Sequence, residues 1–151
     1  MLEFRHATEF DLPAIVAMLA DDEFGRERER YKEPLPRAYH EAFRAIQRQE
    51  GNSVIVALEE GVIVGCLQLT LIPRLGRGGA LRALIEGVRV HRSRRGRGIG
   101  QAIMHEAIGR AREAGCRLVQ LTTDKRRGDA HRFYARLGFV ASHVGMKLDI
   151  S

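Results

Sequence analysis

The chain has 151 residues, 44% of them hydrophobic, a formal net charge of +6 and two cysteines. That length suits one domain spanning 1–151, since a domain holds about 100 to 200 residues, and folding at this size removes roughly two-thirds of the surface from water, so a disordered chain is excluded. Cys66 and Cys116 form no close pair, which excludes a disulfide scaffold and a cysteine-rich zinc site, and no metal is expected.

The longest apolar run, 62–72, is too short to span a bilayer, and the opening MLEFRHATEF lacks the apolar segment of a secretion signal. A cytoplasmic protein without a membrane partner is expected. The charge is divided: residues 1–72 hold 8 Lys+Arg against 13 Asp+Glu, whereas residues 73–151 hold 17 against 6. A basic half fits an anionic partner such as a phosphorylated cofactor or nucleic acid, and an acidic half can attract a cation.

Residues 2–6 form a strand candidate, and Thr8 or Asp11 is placed to cap a helix running to about residue 20, in which Leu12, Ile15, Val16 and Leu19 recur at helical spacing. Pro13 is tolerated in its first turn. The charged, proline-interrupted stretch 21–36 reads as a loop or short helix, and 37–49 as a helix with Ala38, Ala42 and Ile46 every fourth residue. Residues 53–58 and 62–72, joined by Glu59-Glu60-Gly61, read as a β-hairpin. A glycine-rich loop at 73–80, a strand at 84–91, an amphipathic helix at 98–114 ended by Gly115, a strand at 117–123, a helix at 129–137 and one or two closing strands within 139–148 complete the chain. This order gives an α/β fold, a mixed sheet covered by helices.

The most informative stretch is VRVHRSRRGRGIGQAIM, residues 88–104. An apolar strand enters a basic, glycine-containing turn that opens a helix, and the first N–H groups of a helix have no intrahelical partners, so they can hold phosphate oxygens. Gly96, Gly98 and Gly100 carry no Cβ to keep a phosphate away. Neither GxxxxGK[ST] nor GxGxxG is satisfied, because Gln101 stands where the latter needs its third glycine.

Arg95-Gly96-Arg97-Gly98-Ile99-Gly100 meets every fixed position of Q/R-x-x-G-x-G/A, and in this the sequence resembles the GNAT superfamily of acetyl-CoA-dependent N-acetyltransferases. The signature follows the strand IEGVRV, opens a helix, and precedes LVQLTTD and HRFYARLGF, so the resemblance covers essentially the whole chain. It implies the GNAT fold, a mixed sheet of six to seven strands with about four helices. It also implies acetyl-CoA as acyl donor, with diphosphate donors between Arg95 and Gln101 (Arg95, Gly96, Arg97, Gly98, Ile99, Gly100 and Gln101). The strand Val88, Arg89 and Val90 is implied to offer main-chain groups to the pantetheine amides, which agrees with the general capacity of a strand edge to accept an added strand. Many family members place Asn seven residues before the tyrosine of the FYARLGF stretch; Arg127 stands there instead, and is expected to meet a phosphate or the pantetheine arm.

Acetyl transfer to an amine needs a neutral nitrogen, stabilisation of the oxyanion and a proton for the leaving thiolate. By the resemblance Tyr134 supplies that proton, which a neutral phenol can donate. Glu86, nine residues before Arg95 in an otherwise apolar strand, is the leading base, acting directly or through water; a salt bridge to an arginine is the alternative, since a carboxylate there needs a partner or a wet cleft. His91 reads as a turn residue and His131 as a surface residue, while Cys66 and Cys116 read as small buried hydrophobes. The acceptor side falls on the acid-rich stretch 21–33 and the helix after it. A small-molecule amine is expected there, with a protein amine as the alternative. Nucleic-acid binding is not expected, as aromatic residues are only 6% and Trp is absent. Dimerisation is common in the superfamily, and no residue in the sequence decides it for this chain.

Overall fold

The computed structural model describes residues 1–22 and 24–151; Glu23, part of the acid-rich stretch, lies outside the described residues. The chain forms two units, Met1–Gln120 and Leu121–Ser151.

The first unit is built on a sheet of five strands in sequential order: β1 (Leu2–His6), β2 (Asn52–Glu59), β3 (Val62–Ile72), β4 (Arg82–Val90) and β5 (Leu118–Gln120). β1 to β4 are antiparallel neighbours, and β5 joins β4 in parallel. The β2–β3 hairpin turns through Glu60 (φ 51°) and Gly61 (φ 78°), the pair of left-handed residues that a tight two-residue hairpin loop needs. A parallel neighbour requires a crossover, supplied by the helix α5 (Ile99–Glu113).

α5 covers one face of the sheet. Its Ile99, Ile103, Met104, Ala107 and Ala111 recur at three- and four-residue spacing and are all buried, as are Ile55, Ala57, Leu67, Leu69, Ala83 and Ile85. On the other face α1 (Leu12–Ala20) and α3 (Arg37–Arg48) close a second cluster, in which Leu12, Ile15, Met18 and Phe43 pack with Val56, Leu58 and Cys66. The entry to α1 is held by Asp11, whose buried carboxylate accepts from Thr8 N at 2.7 Å and from Arg5 Nη1 at 2.6 Å. Two single turns are present: α2 (Gly25–Arg28), in the stretch read as a loop or short helix, and α4 (Gly76–Gly79), in the glycine-rich stretch read as a loop.

The second unit carries α6 (Gly128–Arg136) and no strand. The expectation of six to seven strands and about four helices is therefore corrected to five strands and six α-helical segments among the described residues. Residues 139–148 do alternate, yet Val140, Val144, Met146 and Leu148 are all exposed, and the main chain there makes local bonds from Phe139 N to Tyr134 O and from Ser142 N to Val140 O. Alternation marks a segment able to join a sheet, whereas a strand exists only where a neighbour's main chain is in register. Likewise 117–123 contributes only the three residues that β4 pairs. Among the described residues no helix is long and apolar enough to cross a membrane.

Two outcomes follow from this packing. Ile103→Ala, at a fully buried site, is expected to destabilise the protein by about 2–5 kcal/mol in chemical denaturation, against less than about 0.5 kcal/mol for Val62→Ala on the exposed hairpin end. Arg5, and then the Thr8 amide, hold the folded Asp11 carboxyl below its ordinary value. Its contribution is thus complete above about pH 4, the unfolded range, and is lost as pH falls through the lowered folded value. Asp11→Asn should flatten the acid limb of the stability curve; an unchanged limb would remove Asp11 from this role.

Candidate active site

β4 ends at Val90, and the chain passes through a 3-10 turn at Arg92–Arg94 before entering α5. Gly96 (φ 77°) and Gly98 (φ 80°) are left-handed, and a Cβ built on either meets nothing within 4 Å. The space above the turn is open, as a ligand diphosphate requires. The first intrahelical bond of α5 runs from Ala102 N to Gly98 O at 3.0 Å, so the N–H groups of Ile99, Gly100 and Gln101 have no partner within the helix. Ile99 is buried and fixes this end from below. Gly65 makes room for it: a Cβ there would stand 3.2 Å from Arg89 O and 3.5 Å from Ile99 Cγ2.

The second feature is the edge of β4. Its ladder with β5 covers only Arg82, Ala83 and Leu84, whereas β4 continues to Val90. Gly87 (φ 62°) lies where the β3–β4 register shifts, between Cys66 and Gln68, and redirects the strand beyond Glu86. Val88, Arg89 and Val90 thus lie on the part of β4 that runs past its parallel neighbour, leading into the glycine turn.

Arginines of the turn and of the end of β4 are matched by carboxylates from the segment after α1 and from the end of β2. Asp21 Oδ2 is 3.4 Å from Arg92 Nε and 3.9 Å from Arg95 Nη2, Asp22 Oδ2 is 3.4 Å from Arg89 Nη2, and Glu59 Oε1 is 2.8 Å from Arg94 Nε. Arg95 also donates to Val90 O and Asp21 O, and Arg89 to Val88 O. Arg97 is exposed. Local pattern carries no sign of this pairing, because Asp21 and Arg95 are 74 residues apart. His91 behaves as a turn residue, its Nδ1 accepting from Ser93 N at 3.2 Å.

Glu86 is exposed on the sheet face opposite α5, directly across from Gln68. It is in no salt bridge among the described residues and meets solvent. Gln68 Nε2 and Thr70 Oγ1 both donate to Asn52 Oδ1, at 2.9 and 3.2 Å, giving this part of the face a polar floor. Beside it lies an apolar cleft of about 130 Å³ between α1 and α3, lined by Ile15, Leu19, Tyr39, Phe43, Gln68 and Gly87, among others. The Tyr39 hydroxyl donates to Glu29 Oε1 at 2.9 Å and accepts from Arg30 N. Cys66 is buried and its thiol is pushed up to about 12 by burial. It is therefore no source of thiolate, the form that accepts an acyl group.

In the second unit, Tyr134 is half-buried on α6, packed edge-on against Phe133 (centroids 5.2 Å apart) and Phe139 (5.9 Å). Arg127 precedes α6, its N–H donating to Asp124 O at 2.9 Å, and His131 Nε2 lies 3.0 Å from the same oxygen. The Arg126 guanidinium, above all, holds the Asp124 carboxyl well below the usual range.

The sequence model of the Acetyltransferase (GNAT) family matches residues 16–139. The chain is 32% identical to the aminoalkylphosphonate N-acetyltransferase of Salmonella typhimurium over 142 residues, 93% of this chain and 86% of the relative. It is 37% identical to the glucosamine 6-phosphate N-acetyltransferase of Trypanosoma brucei brucei over 90 residues, 60% of this chain and 59% of the relative. Among solved structures it matches a Bacillus halodurans protein described as a transcriptional regulator (TM-score 0.96, 53% identity, 99% of this chain and 100% of the other). It also matches a Trypanosoma brucei acetyltransferase (TM-score 0.79, 30% identity, 99% and 100%).

Asp21 and a bound diphosphate would draw on the same guanidinium groups, Arg92 and Arg95. Asp21→Asn is accordingly expected to tighten binding of inorganic pyrophosphate about two- to fivefold at low ionic strength, the scale of a part-exposed ion pair. The gain should shrink in 0.5 M salt. Calorimetric titration reads both; weaker binding by the variant would show that Asp21 supports the turn instead of competing for it.

Proposed function

The chain belongs to the acetyltransferase (GNAT) family and is an N-acetyltransferase, and we propose that it transfers the acetyl group of acetyl-CoA to a primary amine of a small molecule within one ternary complex. The observation that carries this reading is the open glycine turn at the start of α5, which lies inside the matched residues. Residues 1–151 then act as a single catalytic domain, the matched span running through both units.

Acetyl-CoA, when bound, supplies the acetyl thioester. The free N–H groups of Ile99, Gly100 and Gln101, with the main chain from Arg95 to Gly98, hold its diphosphate through the helix end's unpartnered donors and favourable dipole. Arg97 adds positive charge, and Arg127 takes the place of the family's usual Asn. Val88, Arg89 and Val90 hold the pantetheine arm by their main chain, and an N–H there steadies negative charge on the carbonyl oxygen, as preorganised donors do. Glu86 accepts the amine proton, directly or through water. Tyr134 gives its phenolic proton to the departing sulfur.

A small-molecule acceptor is supported by both relatives, whose names describe small amines bearing a phosphonate or a phosphate. A protein amine and a nucleic-acid role are less well supported. The description of the Bacillus halodurans structure invites the latter, but Arg92, Arg94 and Arg95 already face carboxylates in this chain.

The test is a panel of amines with acetyl-CoA, following release of free thiol. Tyr134→Phe is expected to lower kcat about 100-fold while leaving the dissociation constant of acetyl-CoA nearly unchanged. Equal losses in both, or no loss, would reject Tyr134 as the acid.

A further inference from the structure

The cleft between α1 and α3 is distinguished by what surrounds it. Ile15 and Leu19 of α1, Phe43 and Ile46 of α3 and Val54 of β2 supply its walls, and no charged side chain lines it among the described residues. The exposed Ala42 is also part of the lining, so the cleft reaches the surface. Its volume of about 130 Å³ is near that of a cavity of ~150 Å³, lined by aliphatic and aromatic side chains, that stays free of water and takes up benzene. Protein interiors leave few voids larger than a water molecule, so a space of this size against the core calls for an occupant.

On the sheet side the same cleft is lined by Gln68 and Gly87. Gly87 follows Glu86 directly, and Gln68 pairs with Glu86 across the β3–β4 ladder, which places their Cβ atoms about 4.5–5.5 Å apart on one face. A Cβ on Gly87 would stand 3.6 Å from Leu19 Cδ2, so the missing side chain leaves room beside Leu19, next to the carboxylate residue. Gln68 itself is oriented by its neighbours. Asn52 Nδ2 donates to Gln49 Oε1 at 2.9 Å, which turns Asn52 Oδ1 toward Gln68 Nε2, also 2.9 Å away. Held by its NH₂ group, the Gln68 amide keeps its Oε1 as an acceptor suited to an amine N–H, and no group among the described residues donates to that oxygen.

We propose that this cleft is the specificity pocket of the acceptor: it takes a compact apolar group of roughly four to six carbons, carried by a primary amine whose nitrogen lies at the Gln68–Glu86 end. The occupant is apolar because a charge inside the cleft would lose its hydration and find no partner, whereas a branched alkyl group or a phenyl ring leaves water favourably. Gln68 Oε1 accepts one amine N–H, and so holds the nitrogen beside Glu86. This rests on the acetyltransferase reading and adds to it the group that selects the acceptor. It also separates this chain from the two relatives, whose names describe amines bearing a phosphonate or a phosphate.

The experiment compares 3,3-dimethylbutylamine with 2-aminoethylphosphonate in the thiol-release assay. Both are ethylamines ending in a tetrahedral group of similar size, apolar in one and anionic in the other. Wild-type protein should show a kcat/KM at least about tenfold higher for the dimethylbutylamine. Leu19→Asn and Ile46→Asn, on opposite walls, should each cut that preference about tenfold or more, through KM, and Leu19→Met should keep most of it. Melting curves confirm that each variant is folded. Calorimetric titration of 3,3-dimethylbutan-1-ol, with a hydroxyl in place of the amine, reads the cleft without catalysis: the wild type should bind it and Leu19→Asn should not. A kcat/KM for the phosphonate equal to or above that for the dimethylbutylamine, a preference unaltered by both asparagine variants, or no binding of the alcohol to the wild type would overturn the pocket while leaving the acetyltransferase reading intact. Absence of thiol release with every amine tested, while the alcohol still binds, would instead overturn the acetyltransferase reading and with it the assignment of the cleft to the acceptor.

Discussion

The packing of α5 onto the sheet governs the rest of this molecule. Ile103, Met104 and Ala107 have essentially no exposed surface, and α5 lies against β3 and β4, whose Leu67 and Ile85 are as fully buried. Because that stripe fixes the helix along its length, the place where it starts is fixed too, at the end of β4, with Ile99 seated under Gly65. Three main-chain donors are thereby left without helical partners at a rigid position. A loop could offer the same N–H groups, but it would first have to be ordered, and the entropy of ordering would oppose binding.

Electrostatics then divides the labour along the first unit. Arg92, Arg94, Arg95 and Arg97 cluster in the glycine turn, yet Arg92, Arg94 and Arg95, with Arg89 of β4, meet Asp21, Asp22 and Glu59. The Asp21 contacts to Arg92 and Arg95 join the segment after α1 to the turn that follows β4. Within residues 21–33, Asp21 and Asp22 are engaged by the protein's own arginines.

Much of the fold was legible from local pattern. α1, α3 and α5 follow helical spacing to within two residues of their predicted limits, and the Glu60-Gly61 turn announces the hairpin. The signature at Arg95 to Gly100 was equally plain, because a phosphate turn needs glycine at defined places and those places are consecutive in the chain. The closing strands were not legible. Val140, Val144, Met146 and Leu148 have the right alternation, but alternation describes one segment, and a sheet requires two.

By itself, then, the sequence determined the family, the glycine turn and the polarity of the strand holding Glu86, since each depends on residues within one short window. Tertiary structure alone decided which carboxylates face which arginines and that Gln68 stands across from Glu86. Charge and hydrogen-bond pairing are fixed by distance in space, and folding brings together residues as far apart in the chain as Asp21 and Arg95.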